Sequence, residues 1–370
     1  MFSVPRLRCH LPRRPPLFAL DSATQTIASH HSHSSGADTM TVHRRQWLGW
    51  GLGTVAAAWG SAASSAMLSN VQAHWRERAL LGFGTTLWLR AAHPNTDVLE
   101  AALQDAVQAI RQIESEMSLF DPDSAVSRLN RTGVLSQPSA ALTSVLSLAR
   151  HVSSRSQGAF DVTVQPLWDL WSQAQRDGTT PSLRVLKPCI AKVNWRALDI
   201  HPSALRLQIK GMGVTLNGIA QGHAADQVRT VLQSHGVEHA LIDTGETSAL
   251  GLAQGDTPWR FAIEPSAGTS SPPPVSLPEG WAMATSSDAH TTFSADRRHH
   301  HIFDPHTGDS PTHWATVSVL APSCALADAL TKVFFMCPPE RLTQTAHAWG
   351  VAAVLQSKQG KWVRVGNPSA

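Results

Sequence analysis

The sequence predicts an α+β protein, with a mixed arrangement of helices and strands rather than a regular strand–helix repeat. Helical periodicity of apolar residues is clear over residues 98–117 and 220–234. Several short runs rich in β-branched and aromatic residues, among them 315–320 and 351–355, have the length of strands. Because these helices and strands do not alternate strictly, a doubly wound parallel sheet is disfavoured.

The N-terminal half of the predicted domain begins with a strand at 80–90, which is rich in Leu, Phe, Thr and Trp. A helix follows at 98–117, where apolar residues recur with helical spacing. The other elements predicted in this half are a helix at 141–152, a strand at 160–164, a helix at 184–195 that Pro188 starts or breaks, and a hairpin at 205–216 with its turn at Gly211 and Gly213.

The C-terminal half begins with a helix at 220–234 and ends with alternating strands and helices. A Pro-rich insertion at 268–278 can form neither a helix nor a central strand. The other elements predicted here are strands at 240–243, 249–252, 261–263, 281–285, 315–320, 351–355 and 362–365, and helices at 325–336 and 342–349.

Composition limits the class of protein. The chain has 370 residues, of which 42% are hydrophobic and 15% charged, as in a soluble globular protein with one or two cores. A formal net charge of +3 gives no basic surface for nucleic acid. Cys189, Cys324 and Cys337 contain no C-x-x-C pair and are expected to be small buried apolar residues.

The first 66 residues have the organisation of an export signal. Arg44 and Arg45 precede an apolar, uncharged segment at 49–58, and a run of small residues follows at 61–66. This pattern predicts a bacterial twin-arginine signal, and the apolar segment is shorter than the roughly 20 residues needed to span a bilayer. We therefore predict a presequence at 1–66, a mature domain at 67–370, a periplasmic location and only transient membrane association through the signal.

Two clusters of the mature chain combine turn residues with candidate ligand-binding groups. Residues 117–124, followed by Leu129 and Asn130, are by themselves typical of a helix end and a turn. In residues 158–167, Asp161 lies in an otherwise apolar segment, where a buried carboxylate needs hydrogen-bond donors. Backbone amides and a bound ligand could both supply them, and the sequence leaves both interpretations open.

Two further clusters lie at predicted helix starts and in a histidine-rich segment. Residues 215–226 run from a strand through a small-residue turn into a helix, which predicts either a phosphate site or a structural turn. Residues 299–308 contain consecutive histidines, which on a strand face opposite sides and cannot all bind one ion. Asp328 lies near a helix start, where an acid can also act as a cap.

The order of these clusters resembles the flavin transferase family known as ApbE, over residues 80–365. The shared patterns are M-S-x-aromatic with a following L-N, G-x-F-D-x-T-x-x-P-L, G-I-A-x-G-x-A-x-D, H-I-x-D-P-x-T-G and A-D-A-L. Each pattern is weak alone, whereas their common order is specific. The resemblance implies a two-lobed flavin transferase fold with FAD between the lobes.

The resemblance also implies a reaction and its residues. An acceptor Thr or Ser of an exported redox protein attacks the FMN phosphorus of FAD, AMP leaves, and a divalent metal, usually Mg²⁺, holds the pyrophosphate. His301 or Asp328 is the implied base, and Gly218, Ala325 and Asp328 the implied metal ligands. The implied FAD-contacting residues are Phe83, Phe120, Ala159, Phe160, Asp161, Thr215, Gln221 and Ile302, with His301 beside them.

Several residues depart from the family pattern. Lys332 stands where the family has a threonine metal ligand, and Thr331 is displaced by one position. Thr215, Gln221 and Glu246 replace an aspartate, a lysine and a glycine. We therefore hypothesise that the Lys332 ammonium pairs with Asp328 and the pyrophosphate and reduces the metal requirement. Two alternatives to transfer remain open, namely FAD binding without catalysis and hydrolysis of FAD by water.

Overall fold

The structure is a computed structural model that describes residues 73–254, 257–266 and 270–367. The predicted presequence with Arg44 and Arg45 lies outside these residues, as does the first part of the predicted Pro-rich insertion. Over the described ranges, every helix is too short or too polar to cross a membrane.

The described residues form helices and strands in a mixed order. The helices are α1 (Thr96–Met117), α2 (Ala125–Thr132), α3 (Ala140–Arg155), α4 (Gln165–Arg176), α5 (Leu183–Ile190), α6 (Ala220–Ser234), α7 (Cys324–Met336) and α8 (Leu342–Trp349). The strands are β1 (His74–Gly82), β2 (Thr85–His93), β3 (Val134–Ser136), β4 (Leu198–His201), β5 (Ala204–Leu207), β6 (His239–Asp243), β7 (Thr247–Leu250), β8 (Arg260–Phe261), β9 (Val275–Ser276), β10 (Ala282–Ser287), β11 (Trp314–Ala321), β12 (Ala352–Ser357) and β13 (Trp362–Val365).

The centre of the fold is an eight-stranded sheet in the order β1-β2-β6-β7-β10-β11-β12-β13. All of its neighbouring strands are antiparallel. Helices α1, α6 and α7 pack on this sheet, and β11 is buried along its whole length because both faces of the sheet are covered. The predicted α+β class is confirmed.

Side-chain caps fix the starts of the helices that support the sheet. The Asn95 side chain accepts hydrogen bonds from the backbone N–H groups of Asp97 and Val98 at the start of α1. Asp226 of α6 caps α7, since its carboxylate accepts hydrogen bonds from the backbone N–H groups of Cys324 and Ala325 at 2.8 and 3.0 Å. This cap ties α6 to the start of α7.

A second group of elements packs beside the main sheet. Strands β3, β5 and β4 form a three-stranded sheet, and α2 and α3 pack against it. Helices α4 and α5 enclose a smaller apolar cluster, in which Leu167, Trp171 and Leu186 contact Phe303. This cluster holds the chain near residue 303 against α4, a position that matters for the cavity described below.

The segment 80–90, predicted as one strand, belongs to a hairpin in the structure. Residues 80–90 are split between β1 and β2, which pair from His74 with His93 to Gly82 with Thr85. The turn lies at Phe83 and Gly84, whose φ angles are 50° and 76°. Phe83 therefore lies in a turn rather than at the start of the first strand, and the apolar run concealed this because Phe rarely adopts a positive φ.

Two further strand predictions were wrong. Residues 160–164 form a bend and a turn that end in an isolated parallel bridge between Val164 and Gly213, and the Asp161 carboxylate accepts the Thr163 N–H within the turn. The hairpin predicted at 205–216 lies earlier, between β4 and β5, with its turn at Pro202 and Ser203. Helices α2 and α4 were not predicted, although Pro166 at the start of α4 is a typical helix-start residue.

The remaining predictions fit the structure more closely. Helices α1, α3, α6, α7 and α8 and strands β6, β7 and β10–β13 fall within a few residues of their predicted positions. Pro188 lies inside α5, which ends at Ile190. The described part of the Pro-rich insertion adds only β9, which pairs with β8 outside the main sheet. Cys189, Cys324 and Cys337 are free and buried.

Candidate active site

A cavity of about 510 Å³ opens where the sequence motifs meet. The β1–β2 turn, the end of α1, the segment before α4, the start of α6, the end of β10 and the chain near residue 301 all contribute to its wall. Its volume is within the range of about 300–1,000 Å³ that is common for small-molecule sites.

The structure brings the predicted FAD-contacting residues together, although they are far apart in the chain. The cavity is lined by Phe83, Phe120, Ala159, Phe160, Asp161, Thr215, Gln221 and Ile302. His301, Gly218 and Lys332 also line it. Ala325 and Asp328 are not part of the lining, and Asp328 lies buried next to Lys332.

An exposed aromatic side chain stands at the mouth of the cavity. Phe120 is 76% exposed, which is unusual for so large an apolar side chain in a globular protein. It lies beside Gly84 in the β1–β2 turn, and that turn is held by a hydrogen bond of 2.8 Å from the Phe83 N–H to Glu114 Oε1. The mouth thus presents an aromatic face suited to stacking on a planar ring.

Asp161 obtains its hydrogen-bond donors from the protein. Oδ1 accepts from the Thr163 N–H and hydroxyl at 2.8 and 2.7 Å, and Oδ2 accepts from the Trp195 N–H at 3.0 Å. Burial raises the pKa of Asp161, and the bonds from Thr163 partly oppose this effect. The protein therefore supplies three donors to Asp161, which also lines the cavity.

Asn130 joins two of the sequence motifs. Its Nδ2 donates to the Val214 carbonyl and its Oδ1 accepts from the Val214 N–H, each at 2.7 Å. The next residue, Thr215, donates its N–H to the Val162 carbonyl at 2.8 Å. The L-N motif thus holds the segment that leads to the start of α6, and it does so without reaching the cavity itself.

The chain from 299 to 308 forms a wall opposite α6. Trp171 Nε1 donates to the Gly308 carbonyl at 2.9 Å, which anchors this wall to α4. The segment 299–308 also packs closely against the motif at 158–167. A Cβ atom added at Gly158 would lie only 3.2 Å from the His306 ring. The histidine run therefore builds structure, and its members point in different directions, as expected.

His301 is a neutral imidazole with a defined tautomer. Its Nδ1 lies 3.2 Å from the Thr291 carbonyl, so Nδ1 carries the proton and Nε2 the lone pair. Burial lowers the pKa of His301 to about 4, while the bond to Thr291 acts in the opposite direction. At neutral pH the ring can therefore accept a proton at the cavity.

The start of α6 faces the cavity, and a side chain of α7 contacts it, since Asp328 Oδ2 accepts the Gly222 N–H at 3.4 Å. Ile219 occupies the N-cap position without a capping hydrogen bond, and Ala220 and Gln221 line the cavity. The positive end of the helix dipole is therefore directed towards this space, where it favours an anion. The Gln221 side chain packs against the backbone of Gly245. A Cβ atom added at Gly245 would lie 2.1 Å from Gln221 Nε2.

Lys332 stands between the residues that the resemblance implies as metal ligands. Its Nζ lies 2.6 Å from Asp328 Oδ1 and 3.1 Å from the Asp328 carbonyl. A Cβ added at Gly218 would lie 3.3 Å from the same nitrogen. The Thr331 hydroxyl donates to the same Asp328 carbonyl and lies 2.7 Å from Ser286 Oγ, and Thr331 is not part of the cavity lining.

This arrangement does not fit a divalent ion. At an effective dielectric constant of about 20, an ammonium and a divalent ion about 4 Å apart repel each other by about 8 kcal/mol. Asp328 is also a weak candidate for the base, because its carboxylate is buried and already paired with Lys332. Among the described residues, no cluster of three or more His, Cys, Asp or Glu side chains could hold a metal.

Several residues of the site were missed at the sequence level. Trp168, His290 and Thr291 line the cavity, and none of them was singled out from the sequence. Trp168 could have been found from the helical spacing of Leu167, Trp171 and Ala174 after Pro166 in α4. No sequence pattern marks His290 or Thr291, because both lie in an irregular segment.

The comparison with protein families agrees with this geometry. The family model described as the ApbE family matches residues 83–355. The chain belongs to the ApbE family. The match includes every residue of the cavity wall named above, from Phe83 to Lys332.

Curated relatives and solved structures give the same result. A Vibrio cholerae FAD:protein FMN transferase is 33% identical over 248 residues, which cover 65% of this chain and 74% of the relative. The Escherichia coli FAD:protein FMN transferase is 27% identical over 289 residues, covering 74% and 82%. The apo form of the Pseudomonas stutzeri flavinyl transferase ApbE has a TM-score of 0.69 at 25% identity, with 80% of this chain and 96% of that chain covered.

Proposed function

We propose that this ApbE-family protein transfers FMN from FAD to a Thr or Ser hydroxyl of an acceptor protein and releases AMP. The observation that carries the proposal is the convergence on one cavity of an exposed aromatic, a neutral imidazole, a helix start and a lysine. The curated relatives named FAD:protein FMN transferase support it.

The proposed binding mode divides FAD between the two ends of the cavity. The isoalloxazine ring stacks on Phe120 and contacts Phe160 and Ile302, which supply an aromatic face and an apolar wall. The pyrophosphate lies at the start of α6, next to Gly218 and Lys332, where the helix dipole and the ammonium oppose its charge. His301 lines the same cavity and is the base proposed for the attacking hydroxyl.

The proposed reaction is an in-line displacement at the FMN phosphorus. His301 Nε2 accepts the proton of the acceptor hydroxyl, whose oxygen forms the new bond to phosphorus, and the bond to the AMP oxygen breaks. Lys332 stabilises the negative charge that develops on the phosphate oxygens. Mg²⁺ does not fit beside Lys332 as the site stands, so the reaction proposed here contains no step through a metal.

A transfer assay with mass spectrometry tests this function. The purified protein is incubated with FAD and an exported flavoprotein acceptor, and the acceptor with its target Thr replaced by Val is the control. We expect the intact acceptor to gain one FMN group, with one AMP released per adduct. AMP without an adduct would replace transfer by hydrolysis, and bound FAD without either product would indicate a flavin-binding protein.

We also propose that the protein acts in the periplasm on an exported redox protein. Support comes from the sequence alone, in the paired Arg44 and Arg45 before an apolar segment and a run of small residues. Cell fractionation of the wild type and of a variant with Arg44→Lys and Arg45→Lys tests this. Export of the wild type only is expected, and equal export of both would contradict the twin-arginine route.

A further inference from the structure

We infer that Lys332 is a built-in cation that makes FAD binding by this protein independent of a divalent metal. The inference rests on the proposed function and adds to it the way in which the pyrophosphate is neutralised. The Lys332 ammonium occupies the space between Gly218 and the Asp328 carboxylate.

The backbone of α7 fixes the direction of the Lys332 side chain. Lys332 follows Asp328 by four positions on one helix, so the two side chains lie on the same face. The Asp328 side chain is 1% exposed and also accepts the Gly222 N–H through Oδ2 at 3.4 Å. Because the carboxylate is held from two sides, it directs the ammonium to one place at the cavity wall.

The ammonium retains hydrogen-bonding capacity for a ligand. A lysine ammonium has three N–H donors, and Asp328 accepts two of them, through Oδ1 and through its backbone carbonyl. The third can donate into the cavity, which Lys332 lines and where its side chain is 19% exposed. An anionic oxygen at this point would receive a charge-assisted hydrogen bond.

The surroundings favour a polyanion over a second cation. The start of α6 adds a partial positive charge beside Gly218, which the Asp328 contact to the Gly222 N–H offsets in part, and the ammonium lies close enough to oppose protonation of His301. The chemistry that matches an ammonium beside a helix start is a diphosphate. The ammonium occupies the Asp328 carboxylate that a divalent ion would need and repels such an ion, so a metal and Lys332 are alternatives for one position.

The test measures FAD affinity with and without metal. Binding of FAD to the full chain is followed by flavin fluorescence, once with EDTA and once with Mg²⁺, for the wild type and for Lys332→Thr. We expect the wild-type Kd to be the same in both buffers. Lys332→Thr should bind about 10- to 100-fold more weakly in EDTA, the loss of one charge-assisted hydrogen bond, and recover with Mg²⁺.

Two controls separate charge at the site from general effects. Lys361→Thr removes the same charge from an exposed position outside the cavity and should leave the FAD Kd unchanged in both buffers. Riboflavin lacks the pyrophosphate, so its affinity should not respond to Lys332→Thr. Mn²⁺ binding, followed by electron paramagnetic resonance, should be absent in the wild type and present in Lys332→Thr.

The outcomes separate this inference from the proposed function. A wild type that binds FAD only with Mg²⁺ would overturn the inference and leave the transferase proposal in place, and this measurement needs no variant. Equal FAD affinity of the wild type and a folded Lys332→Thr in EDTA would also overturn it. Failure of the wild type to bind FAD under either condition would overturn both.

Discussion

At the scale of single residues, Asp161 is a motif carboxylate whose hydrogen-bond donors come from the protein. Its two oxygens accept hydrogen bonds from Thr163 and Trp195, so the segment before α4 is fixed before any ligand arrives. A buried acceptor of this kind contributes mainly through the cost of leaving its donors without partners.

Asp161→Asn tests this structural role. The Asn amide nitrogen cannot accept a hydrogen bond, so one donor of Thr163 or Trp195 would lose its partner. We expect the free energy of unfolding to fall by about 1–3 kcal/mol, measured by urea denaturation. Unchanged stability combined with a large loss of FAD affinity would instead assign the carboxylate to the ligand.

His301 is the residue whose protonation should govern the pH dependence of transfer. Since burial lowers its pKa to about 4, the ring stays neutral and able to accept a proton down to about that pH. We expect the acid limb of kcat/KM to fall near pH 4 rather than near 6.5, and His301→Asn to lose about 100-fold or more in rate.

Equilibrium FAD binding provides the comparison for His301→Asn. A base acts on the acceptor hydroxyl and contributes little to holding FAD, so the Kd should stay within a few-fold of the wild-type value. A variant that transfers FMN at the wild-type rate, or an acid limb that is unchanged by the substitution, would remove His301 from the mechanism.

At the scale of elements, the contact between α6 and α7 determines the shape of the cavity near Gly218 and Lys332. Gly222 allows the approach, because an added Cβ would lie 2.4 Å from the Cys324 carbonyl oxygen and 2.8 Å from the Ala325 Cα. Asp226, one turn later, caps α7 across the same contact. The glycine and aspartate of the G-I-A-x-G-x-A-x-D motif are therefore both explained by helix packing.

Gly222→Ala should destabilise the protein against the usual trend. In a helix this change normally adds about 1 kcal/mol of stability. Here the added methyl group would clash with the backbone of Cys324 and Ala325, which cannot move as a side chain could. We expect a lower Tm and weaker FAD binding, since Lys332 would move with α7. Gln227→Ala, on the exposed face of α6, is the matched control and should have little effect on either quantity.

At the scale of the whole molecule, buried neutral histidines make stability depend on pH. His300 is fully buried, and its ring lies 3.2 Å from the Pro311 carbonyl through Nε2. Burial and the charge of Lys358 lower its pKa from 6.5 to about 4, while Pro311 and Asp309 act in the opposite direction. Below pH 6.5 the unfolded chain therefore binds more protons than the folded one, and stability falls as pH falls.

His300→Gln isolates this contribution. From pH 7 to pH 5 we expect the wild type to lose about 2 kcal/mol through this residue, because each unit of pKa difference corresponds to about 1.4 kcal/mol. The variant should be less stable at pH 7 but show a shallower decline, measured by urea denaturation at both pH values. Parallel declines would show that His300 does not contribute to the pH dependence.

The sequence alone determined the α+β class, most of the helices and the residues that meet at the cavity. Periodicity is a local property, so α1, α6 and α7 could be predicted within a few residues. The ordered motifs identified Phe120, Gln221 and the others, since chemistry constrains residue type and spacing even where each motif is weak.

Only the tertiary structure decided what those residues do. The turn at Phe83 and Gly84 depends on a positive φ and on Glu114, which lies 31 residues away. Contacts between distant segments also determine three other features. These are the donors of Asp161, the hydrogen bonds between Asn130 and Val214, and the position of Lys332 between Gly218 and Asp328. Hydrogen bonding and burial are properties of the assembled fold, and these properties keep His301 neutral and pair Lys332 with Asp328.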